Sequence, residues 1–251
     1  VILSFSLIAG CGNSSPGEPA GTDPEGAAEA TTRMITDLVG REVEIPAKVE
    51  GFVPLANTPR MITYLGLADK AVGIGGMDAE NITPVTAYAY ANKDLWADLP
   101  VVGTDAAGAT DYYPEEIIRV NPDVILCSYA PDLADEIQTK TGIPVVSVPM
   151  GTLFGEDYEQ ALRLLADVCG VPEKAEEVIT FINDCLQDLR TRTADVPDGD
   201  KPTVLGAAAT FKGSHGIEGV YANYEIFKIL HANDVTKDST ALIDGVLVDK
   251  E

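Results

Sequence analysis

Residues able to bind or react gather where polar or flexible stretches follow short apolar runs. Asn57-Thr58-Pro59-Arg60 follows the run Gly51 to Leu55. Pro59 suits a first helical turn, whose free amides accept an anion, and Arg60 can grip a carboxylate, phosphate or catecholate in a forked geometry. Gly73-Ile74-Gly75-Gly76-Met77-Asp78 carries two of the three glycines of a dinucleotide fingerprint. Without the third, the expected role of Gly76 and Met77 is close backbone approach to a ligand. Thr104, Tyr112 and Tyr113 follow Val101-Val102, Ser128 and Tyr129 follow Cys127, and Met150 with Phe154 follows Val148. A tyrosine at a strand end can stack on a planar group or bond through its hydroxyl. Further on, Ala209-Thr210-Phe211-Lys212-Gly213-Ser214-His215-Gly216 supplies a cation at Lys212 and a donor or metal ligand at His215, with Tyr221 nearby. His231 is read as structural.

Several chemistries are disfavoured. The 251 residues hold 17 Lys and Arg against 40 Asp and Glu, a formal charge of −23. Nucleic acid needs a basic face to displace phosphate counterions, and anionic lipid needs a polybasic patch, so neither is an expected partner. Two histidines and four scattered cysteines form no Cys/His cluster, so no metal site built directly from the chain and no cofactor is expected. Gly-x-Ser-x-Gly, His-Glu-x-x-His and Cys-x-x-Cys are missing, which disfavours a hydrolase or redox enzyme.

The elements that must position these loops alternate. Met34 to Leu38 and Glu42 to Ile45, joined through Gly40, read as a hairpin. Apolar runs at Gly51 to Leu55, Ala71 to Ile74, Val101 to Val102, Val124 to Cys127 and Val145 to Val148 read as strands. Helical stretches intervene near Pro59 to Leu65, Pro114 to Val120 and Leu133 to Thr141. Continuous Val/Ile strands with helical connections predict a parallel sheet covered on both faces, an α/β doubly wound lobe over residues 33–170. After a helix over Glu156 to Val168, a longer one is predicted from Pro172 to about Ala194. Ala175, Val178, Ile179, Ile182, Leu186 and Leu189 fall on one of its faces. At 1.5 Å per residue it spans about 35 Å. That length suits residues 171–196 to connect two lobes. Residues 197–251 open a second strand and helix series, too short for a second complete sheet, so the chain is expected to be incomplete at both ends.

Residues 1–11 form an apolar run ending Ile8-Ala9-Gly10-Cys11, similar to the lipobox that precedes a diacylated cysteine in bacterial lipoproteins. Residues 12–32 carry Gly, Ser, Pro, Ala, Thr and Glu without a large apolar side chain, the composition of a flexible tether. This predicts a domain outside the cytoplasmic membrane, held there only by lipid on Cys11. Cys127, Cys169 and Cys185 are read as buried free thiols, with a Cys169–Cys185 disulfide as the alternative.

Thr36-Asp37-Leu38-Val39-Gly40-Arg41-Glu42-Val43-Glu44-Ile45-Pro46 resembles the opening hairpin of the substrate-binding lipoproteins of ABC importers for iron complexes and vitamin B12. Tyr64 to Gly73, Pro114-Glu115-Glu116-Ile117 leading to Asn121-Pro122-Asp123-Val124-Ile125, and Thr141-Gly142-Ile143-Pro144-Val145 agree with it in order. The resemblance implies two Rossmann-like lobes joined by one long helix, the second lobe incomplete here. It also implies a monomer with no catalytic activity, whose ligand sits between the lobes on loops at the strand carboxyl ends. Asn57, Thr58, Arg60, Gly76, Met77, Thr104, Tyr129, Met150, Lys212, His215 and Tyr221 are then the ligand-binding candidates. Glu115 and Glu251 stand where the family docks on its permease, which works with ATPase subunits. The implied ligand is a ferric siderophore or similar chelate, with haem or a corrinoid as alternatives. An extracellular α/β hydrolase, or an adhesin or sensor on the same fold, are the readings from other classes.

Overall fold

The computed structural model describes residues 31–76, 82–84, 86–104, 111–207, 219–220, 224–236 and 246–247. Strands β1 (Thr32–Thr36) and β2 (Glu42–Pro46) pair antiparallel, from Thr32 opposite Pro46 to Thr36 opposite Glu42. Their alternation points Ile35, Val43 and Ile45 into the core. The Asp37 carboxylate accepts the Val39 and Arg41 amides at 3.1 and 2.8 Å, and Gly40 supplies the left-handed backbone of the turn. Thr32, expected in the tether, is the first paired residue of β1, because its register partner Pro46 holds it.

The chain then alternates through β3 (Phe52–Pro54), α1 (Thr58–Tyr64), β4 (Ile74–Gly75), short helices α2 (Ala87–Ala91) and α3 (Lys93–Trp96), and β5 (Val101–Gly103). It continues through α4 (Pro114–Val120), β6 (Val124–Cys127), α5 (Pro131–Thr141) and β7 (Val145–Ser147). Prolines open α4 and α5, where no intrahelical partner is lost. Left-handed Asn121 and Gly142 close them. Helices α2 and α3, for which no expectation existed, are fixed by tertiary contact. Trp96 is fully buried and its Nε1 donates to the Ala68 carbonyl at 2.9 Å.

β3, β6 and β7 pair in that order, all parallel, and β4 pairs with β5, also parallel. A single parallel bridge between Phe52 and Ala71 joins the groups, so the strands lie in the order β5, β4, β3, β6, β7. Alternate strand residues enter two separate cores. Phe52, Val124, Leu126 and Val146 pack on one face; Val53, Ile125, Cys127 and Val145 pack on the other with Ile117 of α4 and Ile137 of α5. A sheet buried on both faces needs apolar residues at every position, which is why its strands read as unbroken runs.

Next come α6 (Glu156–Val168) and α7 (Pro172–Thr193), packed together, with left-handed Gly170 between them. Ala175, Ile179 and Leu186 are the buried stripe of α7. Beyond it β8 (Thr203–Val204), β9 (Gly219–Val220), α8 (Glu225–Ile229), β10 (Asn233–Asp234) and β11 (Val246–Leu247) are short; β8 pairs parallel with β10, and β9 antiparallel with β11. The strand expected over Thr203 to Ala207 is thus confined to the two residues that β10 pairs. All three cysteines described are free: Cys127 and Cys169 are buried as expected, but Cys185 is exposed, because it projects from the outer face of α7 beside the buried Leu186. Among the described residues no helix is long and apolar enough to cross a membrane.

Candidate functional site

From β3 the chain crosses to β4 on one side, and from β6 it crosses to β7 on the other. Between β3 and β6 the connections therefore diverge, and the crevice outside their carboxyl ends is where open α/β sheets hold ligands. The ladder extends to its rim: the Leu55 amide donates to the Leu126 carbonyl at 2.8 Å, and that of Val148 to the Cys127 carbonyl at 2.7 Å. Ala56 then adopts a left-handed conformation, φ +56°, which costs a side-chain-bearing residue about 1–2 kcal/mol. That strain swings exposed Asn57 toward the β6 loop, where its amide and Nδ2 lie 3.5 and 3.4 Å from Ser128 Oγ. Thr58 is fully buried. Its hydroxyl lies 2.9 Å from the Leu55 carbonyl and 3.0 Å from that of Leu126, one proton shared between two acceptors. Thr58, a ligand-binding candidate by sequence, ties the two strand ends together in this structure.

Arg60, half-buried on α1, is the centre of the site. Its Nη2 donates to Met150 Sδ at 3.3 Å and to Asn57 Oδ1 at 3.5 Å, while its Nε is buried without a partner. Among the described residues no carboxylate pairs with it. Arg33, Arg41, Arg119, Arg163 and Arg192 each make an ion pair; Arg190, like Arg60, has none among the described residues, but it is exposed near the end of α7, whereas Arg60 is half-buried. A half-buried guanidinium with neutral neighbours keeps an attractive field for an anion that a paired one has lost. Tyr158 stands close enough for Arg60 to oppose its upward shift. Burial first, and then Tyr64, push the Tyr158 hydroxyl up to about 12.

The other candidates divide. Gly76 has φ +59°, and its amide donates to the Gly103 carbonyl at 3.0 Å. A Cβ on Gly73 would meet Val102 at 2.7 Å, so the freedom of that glycine serves strand packing. Thr104 is held by Asp111, amide to carbonyl at 3.1 Å and hydroxyl to carboxylate at 3.3 Å. Tyr129 is buried in the core beneath α4 and α5, and its carbonyl accepts Ser147 Oγ at 2.5 Å. Glu115 is exposed in the first turn of α4 and makes no ion pair among the described residues, whereas Glu116 pairs with Arg119. Cys11, Met77, Lys212, His215, Tyr221 and Glu251 lie outside the described residues.

Two aromatic residues near Arg60, Tyr64 and Tyr158, had not been singled out as candidates, whereas Phe154 was read in the loop after Val148. Tyr64 follows Arg60 by one helical turn, a spacing legible in sequence. Phe154 and Tyr158 meet edge to face at 6.0 Å, but only folding brings them to α1.

The family model described as "Periplasmic binding protein" matches residues 60–225, more than half of the chain. The chain belongs to the periplasmic binding protein family. Solved structures share the fold of this periplasmic binding protein. A periplasmic solute binding protein from Veillonella parvula is 23% identical over 87% of this chain and 64% of its own, TM-score 0.64. The molybdate periplasmic binding protein MolA of Haemophilus influenzae is 19% identical over 86% and 69%, TM-score 0.66. The heme binding protein HmuT is 19% identical over 90% and 69%, TM-score 0.60. The chain thus spans 64% of the length of the Veillonella protein. No curated protein matches it significantly. The expected α/β doubly wound fold is that of a periplasmic binding protein, and the family consists of binding proteins, not enzymes.

Proposed function

We propose that this periplasmic binding protein is the extracytoplasmic substrate-binding component of an ABC importer, capturing an anionic iron chelate at Arg60 and delivering it to the permease and its ATPase subunits. The observation that carries the reading is the guanidinium at the switch point of the sheet, whose Nε is buried without a partner and which meets no carboxylate among the described residues. A surface of −23 repels an anion at long range, but salt screens charges over about 8 Å, so nearby Arg60 outweighs the total. The names of the neighbours include a molybdate binder, an anion site on this fold, and a heme binder. The exposed ring of Tyr64 beside Arg60 also favours haem or a corrinoid as a second reading.

Calorimetric titration of the purified protein with ferric catecholate and hydroxamate siderophores, ferric citrate, haem and cobalamin tests this reading. Micromolar or tighter binding of one ferric chelate, weakened by Arg60→Ala, is the expected result. Failure of every iron complex would sink the assignment. Glu115 and Glu251 are proposed to dock on the permease, so Glu115→Arg should abolish uptake and leave chelate affinity unchanged. Lipid on Cys11 is proposed to anchor the protein as a monomer on the extracytoplasmic face of the cell membrane; Cys11→Ser should release it from the membrane fraction.

A further inference from the structure

An apolar groove of about 480 Å³ opens beside Arg60, outside the strand-end loops. Tyr64 of α1, Phe154 just before α6, Tyr158 in its first turn, and Val178, Phe181 and Ile182 of α7 line it. The volume falls within the range of about 300–1,000 Å³ usual for small-molecule pockets. Two of these side chains are placed against ordinary folding economy: Phe181 is 69% exposed and Tyr64 44%. Phe154 is held with φ +61°, a left-handed conformation that disfavours a bulky side chain, and this turns its ring onto Tyr158. Glu177 also borders the groove, but Lys174 pairs with it at 2.7 Å, so its charge is compensated.

Arg60 stands one helical turn from Tyr64 on α1 and contacts Met150 in the loop that leads to Phe154. An apolar aromatic trough thus opens close to a guanidinium that, among the described residues, pairs with no carboxylate. We infer that the groove is a subsite for the ring system of an aromatic acid, its apolar body lying between α1, α6 and α7 and its anionic group meeting the Arg60 guanidinium. The occupant is set by complementarity at both ends. An uncharged hydrocarbon would leave Arg60 unpaired, and a small inorganic anion would leave the rings exposed. The inference rests on the reading of Arg60 as the anion anchor and extends it to the connecting helix α7.

Two probes separate the ends. 1-Anilinonaphthalene-8-sulfonate carries an aromatic body and one anionic group; N-phenyl-1-naphthylamine carries the body alone. Both should bind the purified chain saturably, one per chain, with fluorescence enhancement. Phe181→Ala and Tyr64→Ala should each weaken both probes about fivefold, the loss of about one aromatic contact. Arg60→Ala should weaken only the sulfonate. Because Phe181 and Tyr64 are exposed, their loss leaves the core intact, which unchanged thermal melts would verify. Unchanged affinity in both aromatic variants overturns the groove, and equal weakening of both probes by Arg60→Ala overturns its link to the anion site. The chelate titration fails separately. Chelate binding with probe affinity indifferent to Phe181 and Tyr64 keeps the importer reading and sinks the groove, and the reverse pattern keeps the groove and sinks the iron assignment.

Discussion

Arg41 and Arg60 are the same residue type in one lobe, yet they do opposite things. Arg41, with 11% of its side chain exposed, is saturated: it reaches Asp37 at 3.1 Å, Asp135 at 2.7 Å, the Val145 carbonyl at 2.9 Å and Gln138 at 3.0 Å. Through Asp37, which also accepts the Ser147 amide at 3.2 Å, it rivets the hairpin to β7. Arg60 has a thioether, an amide oxygen and an orphaned Nε. The difference teaches that charge becomes available for recognition where the fold withholds its carboxylates, and that elsewhere the same cation is mortar. Both arginines lie in the ordered hairpin and loop pattern that a sequence shows; only the neighbours differ.

The sharpest way to break this comparison is to remove each cation in turn. Arg41→Ala strands the fully buried Asp37 carboxylate, an uncompensated charge that costs about 3–5 kcal/mol, and a thermal melt should fall by about 10 °C. Arg60→Ala should barely move that melt. Its affinity for an anionic chelate should instead drop about 30- to 100-fold, equivalent to about 2–3 kcal/mol by calorimetry. A large stability loss at Arg60, or none at Arg41, would erase the distinction.

Thr58→Val sharpens it from the other side. It keeps the shape and deletes the buried hydroxyl between the Leu55 and Leu126 carbonyls, so denaturant melts should show a loss of about 1–3 kcal/mol. The sign separates a positioning residue from a ligand contact, which would lose affinity alone.

The thiols give a smaller, pH-dependent signal. Burial pushes Cys127 up to about 11 and Cys169 up to about 12, from an ordinary value of 9.0. The unfolded chain ionises first. Their contribution to stability is therefore complete below about pH 9 and declines as pH rises towards 11 and 12. At pH 8 iodoacetamide should label exposed Cys185 and spare both buried thiols, as intact-mass measurement will show. Least of all, Arg192→Ala removes an exposed pair with Asp188 and should change stability by less than about 0.5 kcal/mol.

Much of the lobe was legible. Val124 to Cys127, Pro114 to Val120 and Glu156 to Val168 coincide with β6, α4 and α6, because unbroken Val/Ile runs, proline starts and helical periodicity are local signals. The first two core strands were less so. The run Ala71 to Ile74 became a single bridge at Ala71 followed by β4 at Ile74–Gly75, since strand ends are set by the partner's register. Ala87 to Trp96 has no helical stripe long enough to read, and it folds as α2 and α3 where Trp96 finds the core.

For the candidate site, residue type and a place after a strand were enough to put forward Arg60, Asn57 and Met150, which the structure brings together because crossover topology sends such loops to one edge of a parallel sheet. The burial of Thr58 and Tyr129 was not legible, since it depends on contacts remote in sequence: Thr58 meets Leu126, and Tyr129 meets Ser147. By itself the sequence determined the α/β pattern, the hairpin, the long helix and the loop that carries the cation, all encoded within a few residues of each other. Only the tertiary structure decided that Arg60 would meet no carboxylate among the described residues while Arg41 received two, and that rings from α1, α6, α7 and the loop before α6 would converge near it. Pairing and convergence are properties of distance in space, which periodicity along a chain does not specify.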